Sequence, residues 1–344
     1  MRIKLDYIWL DGTNPEPNLR SKVKVIEIKK DKIDISDCLE WSFDGSSTKQ
    51  AKGSFSDCLL KPIKLYKSPF QGTFPTYFVL CEVLNADKTN HITNKRSLIK
   101  KDDSKIWFGF EQEYTLMKKG KPLGFPKNGF PEGQGKYYCG VGNSRVYGRD
   151  FANAHLEACL AMGLNITGIN AEVMPGQWEF QLLGKGKLEA SDNLWMARYL
   201  LEIMSEGYGV EIELHPKPVE GDWNGSGLHC NFSDEEMRTA GNKVYYETIF
   251  RVFEKRHKKH LSVYGSNNEK RLSGNHETQN INKFSTGIGD RGASIRIPPI
   301  TIEKWNGYLE DRRPASNANP YEVVKIISES LEIAKNEELV KEFI

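Results

Sequence analysis

The sequence predicts an α+β protein: a small β-rich N-terminal domain, residues 1–85, followed by a larger domain of mixed strands and helices, residues 86–344. Three observations carry this. Alternating apolar and polar residues, the mark of half-buried strands, cluster in the first 85 residues. From Ile106 onward, strand-like and helix-like runs are mixed without the regular βαβα alternation of a doubly wound fold. The length of 344 residues is enough for two domains.

Taken in order, Ile3–Trp9 and Lys22–Ile28 alternate as strands, with Pro15 and Pro17 between them. Pro75–Glu82 is a third strand candidate, and the polar stretch Asp87–Asp103 reads as a linker. Ile106–Met117 is a strand whose period of two puts Glu111 and Glu113 on one face. Helices are expected over Asp150–Met162, stopped by Gly163, and from Ser191 to about Glu206, stopped by Gly207. A third is expected from about Asp234 to His260. The last opens at Asn319-Pro320, a cap followed by proline in the first turn, and runs through Ile333 as an amphipathic packing segment.

A net charge of +2 argues against nucleic acid or a membrane surface as partner. The most basic run, Lys255–His260, reads as a solvated helix end, because cations are stabilising there. It lacks the interleaved aromatics of a nucleic-acid surface. Six cysteines without a CxxC pair, and a start without a charged-then-apolar leader, predict reduced thiols and a cytoplasmic location. No apolar run is long enough for a membrane span.

The chemistry concentrates in carboxylates. Glu111 and Glu113 share a strand face with no basic residue between them, so a cation is the natural partner of two like charges. Glu172 and Glu179 flank the Pro175-Gly176 turn between strand-like runs. His229 ends the glycine-rich turn Asn224-Gly-Ser-Gly-Leu-His229, and Glu310 precedes Asp311-Arg-Arg-Pro314. Buried carboxylates need neutralising. Oxygen-rich ligation with one imidazole suits Mg²⁺ or Mn²⁺ better than Zn²⁺. Arg271, Arg291, Arg296, Arg312 and Arg313 fall within one C-terminal stretch, and guanidinium groups match phosphate and carboxylate oxygens. No P-loop is present, and the glycines of Gly133–Gly142 do not spell a dinucleotide fingerprint.

Four segments, Phe108-Gly-Phe-Glu-Gln-Glu-Tyr-Thr115, Asn170-Ala-Glu-Val-Met-Pro-Gly-Gln-Trp-Glu-Phe-Gln181, Asn224-Gly-Ser-Gly-Leu-His-Cys-Asn231 and Glu310-Asp-Arg-Arg-Pro314, resemble glutamine synthetases, in the spelling of the eukaryote-like branch. The likeness runs from about Tyr7 to about Pro314. It implies a β-grasp-like first domain and a curved antiparallel sheet in the second. It implies ATP-dependent ligation of ammonia to L-glutamate through γ-glutamyl phosphate. It assigns Glu113, Glu172 and Glu179 to one metal, and Glu111, His229 and Glu310 to a second. Asn224, Gly225 and Arg271 would hold glutamate; Arg291, Arg296 and Arg312 would meet phosphate groups. Trp107, Tyr138, Ser233 and Tyr308 become nucleotide contacts. Asp44, helped by Ser47 and Asp57, would bind and deprotonate ammonium from a neighbouring subunit, and Glu277 would close over the intermediate. A decamer of two pentameric rings is the implied assembly.

The chain departs from the family spelling at Asp290, which adds an acid beside Arg291, and at Lys136 before Tyr137-Tyr138. It also starts close to its first strand, without the short N-terminal helix of many relatives. Two rival readings keep the same fold: a ligase that uses a bulkier amine, and a catalytically silent protein. The intact set of acids and arginines favours neither.

Overall fold

The computed structural model describes residues 1–30 and 32–341. By internal packing these divide into two compact units, one within residues 1–100 with 157–164, the other within residues 101–156 with 165–341.

The first unit is built on β1 (Arg2–Leu10), β2 (Leu19–Glu27), β3 (Trp41–Asp44), β4 (Asp57–Lys67) and β5 (Thr76–Asn85), in the order β2-β1-β5-β4-β3. β1 and β5 pair in parallel, and the other neighbours are antiparallel. Alternation explains the core: Ile3, Leu5, Tyr7 and Trp9 meet Phe43, Leu60, Val79 and Val83. β3 and β4 escaped the sequence reading. β3 is four residues long, and Pro62 interrupts the alternation of β4 at a register shift.

In the second unit the chain runs β6 (Trp107–Lys118), β7 (Lys121–Pro122), α1 (Arg149–Ala161), β8 (Ile166–Ala171), β9 (Gln177–Lys185), α2 (Lys187–Tyr208), β10 (Glu211–Glu213) and β11 (Leu228–Ser233). It continues through α3 (Glu235–Thr239), α4 (Lys243–Lys255), α5 (His257–Leu261), β12 (Thr286–Ile288), β13 (Ile295–Ile297), α6 (Pro299–Lys304), β14 (Leu309–Asp311) and α7 (Pro320–Lys341). The last turn of α1 falls in the stretch grouped with the first unit. One nine-stranded sheet, ordered β12-β13-β14-β11-β6-β9-β8 with β7 and β10 added to β6, carries the unit. All its pairs are antiparallel except β12–β13.

The helix expected over 234–260 is broken twice. Gly241 takes φ +63°, which ends α3's segment, and Asn242 caps α4 through the Tyr245 amide. A second break at Arg256 separates α4 from α5. Nor is the basic run there uniformly solvated. Lys255, Lys258 and Lys259 are exposed, but His257 and His260 are buried against Arg313. α2 begins four residues earlier than its periodicity suggested, where the Asp102 carboxylate accepts from the Lys187 amide at 2.7 Å. α7 starts at Pro320 with the Asn319 side chain accepting from the Tyr321 amide, and it continues past Ile333. All six cysteines are free thiols.

Behind the sheet, buried Arg198 of α2 donates to the Gln112 side-chain carbonyl at 2.8 Å and to the backbone carbonyls of Ser316 and Ala318. Gln112 in turn donates to the Glu113 carbonyl at 2.8 Å, and Ser316 Oγ to the same carbonyl at 2.6 Å. This network holds β6 at Glu113, beyond the last residue that pairs with β11. It also leaves the opposite face of β6 to Glu111 and Glu113.

Candidate active site

The acids converge because they are cross-strand neighbours. Glu113 lies opposite Glu179 on β9, Glu111 opposite His229 on β11, and Glu310 on β14 lies between Asn231 of β11 and Arg296 of β13. Directly opposed residues share a face, so one register delivers Glu179, Glu113, Glu111, His229, Glu310 and Arg296 to one side of the sheet. Glu172 follows β8 at a tight turn in which Gly176 has φ +75°, and a Cβ there would lie 2.8 Å from the Leu123 carbonyl oxygen. Glu172 accepts from the Asn170 side chain at 2.8 Å.

The donor atoms of Glu111, His229 and Glu310 lie within 4.8 Å of one another, as do those of Glu113, Glu179 and His229. His229 Nδ1 is 3.1 Å from Glu111 and 3.8 Å from Glu310. Burial pushes the Glu113 carboxyl up to about 7, opposed by Arg271 nearby. Burial and then repulsion from Glu113 push Glu172 up to about 8, and burial with the neighbouring acids lifts Glu179 well above the carboxylate range. Burial holds His229 neutral, far below the usual imidazole value. Neutral imidazole with clustered, reluctantly ionised carboxylates is a ligand set that divalent cations satisfy.

Arginines close the other side. Glu310, 2% exposed, pairs with Arg296 at 2.7 Å and Arg312 at 2.5 Å. Arg312 Nε donates to the Arg291 carbonyl, and Arg296 Nε–H is buried with no partner among the described residues. Arg271 is buried and donates to His229 Nε2 at 3.0 Å and to the Arg312 carbonyl. Its passage explains the glycines before His229. A Cβ at Gly225 would sit 2.7 Å from Arg271 Cγ, and one at Gly227 2.4 Å from its Nη2.

These groups line a pocket of about 530 Å³. Asn224, Gly225, Tyr138, Glu277 and Arg291 also reach it, and all of its lining comes from the second unit. A second pocket of about 390 Å³ shares Glu111 and Gln181 with the first. Trp107, Ser233 and Tyr308 lie there, together with Arg238, whose guanidinium stacks 4.1 Å over the Trp107 ring and donates to Ser233. Arg238 was not legible as a site residue, since on sequence it belongs to an ordinary charged helix turn. His276, which lines the first pocket, and Gln134, bonded to it, gave no signal either.

Asp44 lies in the first unit, exposed, at the end of β3. It accepts from the Ser46 amide at 3.0 Å, Ser46 Oγ at 2.6 Å and Ser47 Oγ at 2.7 Å. These bonds hold its carboxyl down at about 2. Asp57 faces it across the β3–β4 pair. Asp290 turns back on its own loop and accepts from the Gly292 amide at 2.7 Å; no ion pair to Arg291 forms among the described residues.

Two family models match the chain: "Glutamine synthetase, beta-Grasp domain" over residues 3–86 and "Glutamine synthetase, catalytic domain" over residues 90–248. The chain is 50% identical to a glutamine synthetase of Bradyrhizobium diazoefficiens over 335 residues, 96% of each chain. It is 47% identical to that of Suillus bovinus over 340 residues, covering 97% of this chain and 94% of the relative. With that of Agaricus bisporus it shares 48% identity, covering 96% and 93%. The chain belongs to the glutamine synthetase family. The fungal relatives place it with the eukaryote-like branch. The five-stranded sheet of the first unit is therefore a β-grasp domain, and the nine-stranded sheet is that of a glutamine synthetase catalytic domain. The catalytic-domain match stops at residue 248, so Arg271, Glu277, Arg296, Glu310 and Arg312 rest on the whole-chain similarity. Among the described residues, no helix is long and apolar enough to cross a membrane.

Proposed function

We propose that the chain ligates ammonia to L-glutamate at the expense of ATP, giving L-glutamine, ADP and phosphate. The observation that carries this is the single sheet face on which Glu111, Glu113, Glu179, His229 and the Arg296–Glu310–Arg312 cluster meet. An oxygen of the glutamate γ-carboxylate attacks the γ-phosphorus of ATP, and the bond to the bridging oxygen breaks to release ADP. Ammonia nitrogen then attacks the acyl carbon and inorganic phosphate leaves.

Two divalent cations, Mg²⁺ or Mn²⁺, fit the donor set, with Glu113, Glu172 and Glu179 for one and Glu111, His229 and Glu310 for the other. When bound, they would neutralise the carboxylates and polarise phosphoryl oxygens. Arg271, Asn224 and the Gly225 backbone orient glutamate. Arg291, Arg296 and Arg312, which line the pocket, stabilise charge on the transferred phosphoryl group. Trp107, Ser233, Tyr308 and Arg238 form an apolar slot for the purine, with Tyr138 at the neighbouring edge. Glu277 shields the acyl phosphate from water. Asp44, kept ionised by Ser46 and Ser47, takes a proton from ammonium in the site of an adjacent subunit, within a decamer of two five-membered rings. A cytoplasmic enzyme with a boundary near residue 85 completes the reading.

Ammonium-dependent ADP release matched by glutamine tests the reaction. Positional isotope exchange in ATP that requires glutamate but not ammonia tests the acyl phosphate. ADP release indifferent to ammonium, with no glutamine formed, refutes the proposal.

A further inference from the structure

Three separate loops meet beside the larger pocket, which Asn224 and His276 line, and one glutamine joins them. The Asn224 amide lies 2.5 Å from Gln134 Oε1, and Gln134 Nε2 lies 2.9 Å from His276 Nδ1. On the far side of the ring, His276 Nε2 is 3.1 Å from Asp222. The chemistry of these contacts determines a protonation state. A backbone N–H can only donate, so Gln134 must turn its oxygen toward Asn224 and its NH₂ toward His276. His276 Nδ1 must then accept, and the proton of the neutral ring sits on Nε2, facing Asp222. Protonating Nδ1 would set two donors against each other. Turning the Gln134 amide over to relieve this would set its NH₂ against the Asn224 amide.

The turn this clasp holds is not relaxed by itself. His276 and Glu277 both adopt left-handed backbone conformations, at φ +52° and +58°, uncommon for residues with side chains. The turn is closed below by the Ser273–Asn280 bridge and by Thr278 Oγ1 donating to the Asn275 carbonyl at 2.8 Å. The charged groups around His276 are Asp222, Glu277 beside it in the chain, Arg312, which donates to the Glu277 carbonyl at 3.4 Å, and Lys217, bonded to the Trp223 carbonyl next to Asp222.

We propose that Gln134, His276 and Asp222 form a clasp that holds the Glu277 turn against the pocket only while His276 is neutral. His276 is a positioning residue, acting through Glu277 and Asn224. The kinetic part of this proposal rests on the ligase reading; the structural part does not.

The test uses the full-length enzyme and three variants. His276→Ala removes the acceptor. His276→Asn keeps an acceptor near the Nδ1 position, tolerates the left-handed backbone and does not titrate. Gln134→Glu still accepts from Asn224 but presents an acceptor to His276, so its clasp forms with the imidazolium. Hydrogen exchange of peptides spanning residues 272–282 at neutral pH should be about tenfold faster in His276→Ala, the equivalent of one lost hydrogen bond, and restored in His276→Asn. In turnover, His276→Ala should release ADP in excess of glutamine. The wild type should lose coupling on the acid side, His276→Asn should lose that acid limb, and Gln134→Glu should reverse it. A Mn²⁺-induced thermal shift retained in all three shows that they are folded. Identical exchange in wild type and His276→Ala overturns the clasp, and so does one common pH profile for wild type, His276→Asn and Gln134→Glu. If the wild type forms no glutamine, the ligase reading falls, and the exchange comparison alone decides the clasp.

Discussion

Burial holds the Glu113 carboxyl at about 7 and the Glu172 carboxyl at about 8, against 4.5 for an ordinary glutamate. A raised carboxyl value means that the folded, metal-free protein binds protons the unfolded chain has already released. The contribution of these carboxyls to stability is greatest at low pH and is lost as pH rises from about 4.5 through 8. A divalent cation competes with those protons. The melting temperature of EDTA-treated protein should therefore fall between about pH 6.5 and pH 8, and the gain on adding Mg²⁺ or Mn²⁺ should be larger at pH 8 than at pH 6. An equal gain at both would argue that these carboxylates are not the ligands. Glu310 offers a second test. It neutralises Arg296 and Arg312 at once, so Glu310→Gln leaves two guanidinium groups short of their acid. Breaking a buried pair from one side costs roughly 3 kcal/mol, and the urea midpoint should drop accordingly. A variant as stable as the wild type would show that water already serves these arginines.

Among the elements, β6 is the organiser. Its site face carries Glu111 and Glu113, and its opposite face carries Gln112, bonded to Arg198 of α2. α1 contributes His155, 1% exposed, between Tyr114 and Phe180, with Nε2 donating to the Ala197 carbonyl at 3.0 Å. Burial lowers its pKa from 6.5 to about 4. A lowered imidazole value means that the unfolded chain takes up a proton first. The associated stability is present above pH 6.5 and is lost as pH falls toward 4, to a limit of about 3 kcal/mol. The amount by which the wild-type melting temperature exceeds that of His155→Phe should therefore shrink as pH falls from about 6.5 to 4.5. An unchanged difference would assign acid sensitivity to other groups.

For the whole molecule, the decisive question is where ammonium is handled. Asp44 belongs to one compact unit, and every residue lining the larger pocket belongs to the other. If Asp44 serves a neighbouring subunit, Asp44→Asn and Glu310→Gln are each inactive but complement each other. Co-refolded in equal amounts, they should recover about one quarter of wild-type activity, the fraction of interfaces pairing an intact pocket with an intact Asp44. No recovery in mixed particles would place Asp44 in its own subunit's site or outside the chemistry. The sequence by itself determined what depends on near neighbours along the chain. This covers the alternation of β1 and β6, the turn at Pro175-Gly176, the Asn319-Pro320 start of α7, and the motifs that mark the family. Breaks were less legible, because the 234–260 run keeps a helical pattern through both the left-handed Gly241 and the second break at Arg256. Only the tertiary structure decided which strands lie side by side, and with that the union of Glu310 with Arg296 and Arg312, the Arg238–Trp107 stack, and the Gln134–His276 contact. The physical reason is range. Periodicity and capping act over a few residues, whereas these contacts join distant segments through sheet register and loop closure, as in the 142-residue separation of Gln134 from His276.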